Sequence, residues 1–259
     1  MNVPLPVTTA LVQVLAVQVE LELGDVYQDI EEMADLCDEL LNPDISIQFL
    51  IDPIKVFASA IHLHLKGPAE RTNLSEKVTD CLRKAVVRLP DFHDVSIMLA
   101  QSLYVRFDVA PSNEDYKEGM AILDSILTFR GPGDVPSPCR VGALGLAAMF
   151  ANARLKAYRK PEHLEHAIYR TRTLIDGTSI KDPYHAVITG HLSSLEGFRL
   201  DDTANTRDAS VAPLESGKLP SFRELIASFP GPMAAEPDPV TFYELATVKA
   251  LLTHIGNSG

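Results

Sequence analysis

"RFDVAPSNEDYKEGMAILDSIL", Arg106 to Leu127, decides the fold of this chain because its pattern returns 48 residues later. After Phe107 a polar gap runs to Tyr116, and Gly119, Met120, Leu123, Ile126 and Leu127 follow at helical spacing. "RLKAYRKPEHLEHAIYRTRTLI", Arg154 to Ile175, repeats that grammar, and two earlier copies start from Leu21 and Leu65. Take Leu21, Leu65, Phe107 and Leu155 as zero points. Nine residues on stand Ile30, Leu74, Tyr116 and Leu164; thirteen on, Ala34, Val78, Met120 and Ile168; sixteen on, Cys37, Cys81, Leu123 and Thr171. Offsets of 9, 13, 16 and 20 step by three or four, which lays one apolar stripe along a helix. Lys77, Lys84 and Thr171 break it.

A second helical segment precedes each zero point: "TTALVQVLAVQVEL", "IKVFASAIHLHL", "SIMLAQSLYVRF" and "GALGLAAMFANARL". Five residues before zero the side chain is small in three copies, Ala16, Ala60 and Ser102, and large in the fourth, Phe150. Small side chains there let neighbouring helices approach closely. Turn residues interrupt the pattern at matching places: Gly24-Asp25, Gly67-Pro68, Pro111-Ser112-Asn113 and Lys160-Pro161. The expected fold is all-α, an α-solenoid of antiparallel helix pairs, because one pair cannot bury both its faces and a stack of pairs can.

About four such units are expected over residues 1–200. A degenerate capping repeat follows over 201–229, where Pro213, Gly217 and Pro220 interrupt the second helix. Residues 230–239 read as a proline-rich linker, and 240–259 as a terminal helix that folds back or leads into further chain.

Charge is unevenly placed. The net charge is −12, and residues 1–54 hold eleven acids with no Lys or Arg before Lys55. That balance argues against nucleic acid, which needs a basic surface. Arg154, Lys156, Arg159, Lys160, Arg170 and Arg172 make the fourth unit's junction basic. Complementarity between that junction and the purely acidic first unit leads us to expect weak self-association through a head-to-middle contact between two copies. The uncharged start, "VPLPVTTALVQVLAVQV", lacks a basic leader and carries Gln13 and Gln18, so neither secretion nor a membrane is expected. Three cysteines without C-x-x-C spacing suit a reducing, cytoplasmic compartment, with Cys37 and Cys81 as small core residues.

No catalytic signature stands out: G-x-S-x-G, P-loop and G-x-G-x-x-G are all absent, so no enzyme and no cofactor are expected. His163 and His166 share a helix face, yet HExxH is missing and no third ligand is fixed nearby, so no metal is expected and a solvated outer face is. His62 and His64, two apart on a helix, diverge. Two polar columns on the first helices are the candidate protein-binding residues. Three before zero stand Gln18, His62, Tyr104 and Asn152. One before zero stand Glu20, His64, Arg106 and Arg154, with Arg199 in the degenerate unit. In stacked pairs the first helices line the concave surface, and either column, being on opposite sides of the helix, is a candidate for it.

"LELGDVYQDIEEMADLCDELL" and "RFDVAPSNEDYKEGMAILDSIL" resemble the fungal tetratricopeptide-like repeats, which carry R-F-x-x-x-G-D-x-x-D-[LI]-x-x-A-[IM] between their helices. Arg106-Phe107, Gly24-Asp25, Asp29-Ile30, Asp115-Tyr116 and Ala167-Ile168 match pieces of it, over roughly residues 10–200. Such arrays often precede a caspase-like CHAT protease domain, for which this chain has no matching residues. The resemblance therefore implies a scaffold that binds a protein partner or an adjoining domain. The alternative it leaves is the regulatory front of a CHAT-type protease. Unit lengths of 44, 42 and 48 residues exceed the tetratricopeptide period and keep HEAT-like packing as the alternative fold.

Overall fold

The computed structural model describes residues 5–62, 72–129, 137–178 and 185–205, and the expected cap, linker and terminal helix beyond 205 lie outside them. The described residues form helices and no strand: α1 Leu5–Glu20, α2 Val26–Leu40, α3 Ile51–His62, α4 Thr72–Arg88, α5 His93–Val109, α6 Asn113–Thr128, α7 Ser137–Tyr158, α8 Pro161–Gly177 and α9 His185–Asn205. A 3-10 turn, Ile47–Phe49, precedes α3. The helices fall into two compact units, residues 1–126 and 127–259.

Local chemistry sets the helix ends. Asp25 caps α2 by accepting from the Tyr27 and Gln28 amides at 3.1 and 3.3 Å. Ser112 does the same for α6, its Oγ accepting from the Asp115 amide at 3.3 Å. Pro161 opens α8, where its missing N–H costs no helical bond. Helix α1 closes through two reverse bonds, Leu23 N–H to Gln18 O at 2.8 Å and Glu22 N–H to Val19 O at 3.2 Å. That motif wants a left-handed residue at position 22, and Glu22 supplies it at φ 51°. Gly24 follows at φ 96°, where a side chain is strained.

Left-handed geometry costs an L-residue roughly 1–2 kcal/mol, of which glycine returns part to unfolded-chain entropy. Glu22→Gly is therefore expected to raise stability by about 0.5 kcal/mol in urea unfolding. A destabilised Gly variant would show that this end of α1 does not adopt the left-handed turn. Arg159, at φ 48° and donating its N–H to Leu155 O at 2.8 Å, ends α7 in a related way.

In the first unit α1 packs on α2 and α3, α2 on α4, α3 on α5 and α4 on α5; in the second α7 packs on α8 and α8 on α9. The residues at matching offsets fill these contacts. Ala34, Val78, Met120 and Ile168 are buried, as are Cys37, Cys81, Leu123 and Thr171. Ala16, Ala60, Ser102 and the larger Phe150 are buried too, so the odd residue of that column is still core. The zero column is less uniform: Phe107 and Leu155 are buried, but Leu21 is 62% exposed, a correction to its expected core role. It sits past the last turn of α1, on the side turned away from α2 and α3.

The two lysines that interrupt the stripe on α4 have partners on the acidic helix beside them. Lys77 reaches Glu31 and Asp35 at 3.3 and 2.6 Å, and Lys84 reaches Asp38. Arg88 donates to the carbonyls of Leu41 and Ile45, where α2 ends. Glu31, Asp35 and Asp38, three of the eleven acids of the first 54 residues, are thus answered within the chain. Exposed pairs of this kind contribute little each, roughly 0–1 kcal/mol, and act mainly on which helix sits beside which.

Candidate functional site

The seam between the two helices of a pair brings together residues one before zero and eight after it. In the first unit these are Arg106 on α5 and Asp115 on α6. Arg106 Nε donates to Asp115 Oδ2 at 3.3 Å, and the carboxylate is almost wholly buried. Phe107 and Tyr116 pack beside them, ring centroids 5.7 Å apart. The same two positions in the second unit hold Arg154 and His163.

His163 is buried, not solvated as expected. Eight, twelve and sixteen residues after zero lie on successive turns of one face, so the inward stripe of α8 is wide enough to take in position 163 with Ala167 and Thr171. The His163 ring meets Tyr158 edge-on at 5.6 Å, and its Nδ1 has no hydrogen-bond partner. Burial first, and the Arg154 charge second, hold its pKa below the usual histidine value. His166, half-buried, takes a 3.1 Å bond from Arg170 Nε on the same helix. Among the described residues no three His, Cys, Asp or Glu side chains are grouped to hold a metal.

The column three before zero divides. Gln18 on α1 and Tyr104 on α5 are each half-buried. Asn152 on α7 is committed inward: its Nδ2 donates to Ala148 O at 2.8 Å, leaving Oδ1 as acceptor for His191 Nε2, also at 2.8 Å. His191, on α9, is 3% exposed, and burial pushes its pKa down to about 4. Nothing in the sequence singles out His191; the only trace of the Arg106–Asp115 pair is an Arg one before zero matched by an acid or histidine eight after. The side chains of Glu20, His62, His64 and Arg199 lie outside the described residues.

Cys37, Cys81 and Cys139 are buried free thiols. Burial, and the neighbouring Cys81 thiol, push the Cys37 pKa well up, which suits a core residue and opposes thiolate chemistry. Arg83 of α4 forks onto Glu118 of α6 with two 2.7 Å bonds and holds Asp80 at 2.6 Å. These carboxylates keep its guanidinium pKa above the ordinary arginine value. No described helix is long and apolar enough to cross a membrane. No protein-family model matches the chain, and comparisons with curated proteins and with solved structures find no match.

Proposed function

We propose that the chain is a non-catalytic helical-repeat scaffold, an α-solenoid of tetratricopeptide-like pairs, that binds a protein partner or an adjoining domain. The observation that carries this reading is the repeated burial: residues 13 and 16 after each zero point are core in all four pairs. Stacking of like helices, α1 on α3 on α5 and α2 on α4, supports the same reading. Of the candidate binding residues, Arg106 and Asn152 are engaged in internal bonds, and the half-buried Gln18 of α1 is the contact we propose for a partner. The buried free thiols fit a reducing compartment such as the cytoplasm.

The test is immunoprecipitation from native tissue with an antibody to the first helix pair. A band near 28.3 kDa with a stoichiometric companion, lost in a Gln18→Ala variant of unchanged melting temperature, is the expected result. A 28.3 kDa band with no companion would count against a scaffold. The second reading, the regulatory front of a CHAT-type protease, rests on the seam pattern around Arg106-Phe107 and Asp115-Tyr116. A much larger polypeptide with further C-terminal peptides would favour it.

A further inference from the structure

The exposed face of α1 is apolar. Val7, Val14, Val17 and Leu21 are each half or more exposed, and Ala10 is exposed between them. At about 100° per residue these five positions fall within an arc of about 80°, opposite Thr8, Val12, Leu15, Ala16 and Val19, which face the core. Their spacing is three, four, three, four, the seam pattern of paired helices. Residues 5–19 contain no ionisable side chain, and only Gln13 and Gln18 flank the stripe. An exposed apolar stripe of this length, with α2 and α3 packed on the opposite face, marks a contact surface.

We propose that two copies of this chain pair through this face, antiparallel about Val14. The stripe runs from residue 7 to residue 21 and is centred on 14, so a twofold axis there makes it self-complementary. Val14 meets Val14, Val7 lies opposite Leu21, and small Ala10 falls within one residue of Val17. An interface formed about a twofold axis uses the same patch on both copies, and this patch fits that requirement. The stripe itself carries no charge, so pairing through it strips no ionised group of water. A lipid surface is the poorer occupant: amphipathic membrane helices are rich in Lys and Arg, whereas the first basic residue here is Lys55 and the neighbouring α2 is acidic. The 16 residues of α1 span about 24 Å, and a footprint about 10 Å wide is small beside a standard interface. The dimer is accordingly weak, with a Kd on the order of 100 μM.

Sedimentation equilibrium of the full chain from about 10 to about 500 μM is expected to show average mass rising above 28.3 kDa toward twice that value. The rise persists at high salt, and Val14→Glu weakens it about tenfold or more while leaving the melting temperature unchanged. Val14→Cys under mild oxidation gives a disulfide-linked dimer. Val7→Cys alone does not, because its two thiols lie about 21 Å apart along the paired helices, while Val7→Cys mixed with Leu21→Cys does. Wild-type protein, whose three thiols are buried, is the control. Mass fixed at the monomer value overturns the proposal. So does association that salt abolishes and Val14→Glu does not touch, which would point instead to contact between the acidic first pair and the basic fourth junction. Val14→Cys linking no faster than Val87→Cys, on exposed α4 surface, overturns it as well.

Discussion

Phe107→Ala is expected to cost about 3–5 kcal/mol of stability, whereas Leu21→Ala, at the equivalent position of the first pair, is expected to cost under about 0.5 kcal/mol. Both residues begin the same repeated grammar, and their surroundings decide the difference. Phe107 is fully buried with its ring tilted against Tyr116, so truncation removes apolar burial and leaves a cavity at the seam. The half-buried Arg106 and its buried partner Asp115 lie next to that cavity, and loosening the seam lets water compete for their bond. Leu21 faces outward and loses almost nothing that folding had buried. Urea unfolding followed by the helical circular-dichroism signal measures both; the chain has no tryptophan to report by fluorescence. Equal losses for the two variants would sink the burial assignment. Leu21→Ala has a separate expected effect, on the self-association argued above, which a measurement at low protein concentration leaves out.

The helix pairs were legible because their signal is redundant: four copies place an apolar residue at offset 13, and an error in one copy is corrected by the others. The stripe on α8 holds even at Thr171, whose hydroxyl is buried without a hydrogen-bond partner, so the repeat position outweighs the local polarity there. Leu21 misleads because α1 has neighbours on one side only, and an apolar residue past its last turn has nothing to pack on within the described chain. Lys77 and Lys84 read as interruptions since their partners, Glu31 and Asp38, each lie 46 residues upstream. That separation is close to the repeat length, so the pairing is periodic in the sequence, but only an alignment of neighbouring units against each other exposes it. The Asn152–His191 bond carries no such periodicity. It joins α7 to α9, and nothing in the residue types of α9 distinguishes a buried histidine from a solvated one.

Lowering the pH from about 7.5 to about 5 is expected to remove about 2 kcal/mol of stability through His191 alone. Its pKa in the fold is about 4, against 6.5 in the unfolded chain, so between those values the unfolded state binds a proton that the folded state refuses. Stability from this group is complete above about pH 6.5 and is lost progressively as pH falls toward about 4. His163, also held below its usual value, adds in the same direction. Burial is the cause at His191, with no neighbouring charge contributing, so added salt is expected to leave its share of the slope unchanged. His191→Gln keeps an N–H donor for Asn152 Oδ1 and has nothing to protonate. The wild type should therefore lose about 2 kcal/mol more than the Gln variant over that interval, measured by urea unfolding at each pH. Parallel pH profiles would mean that His191 takes up its proton without opening the α7–α9 contact, and that the 2.8 Å bond to Asn152 survives the imidazolium.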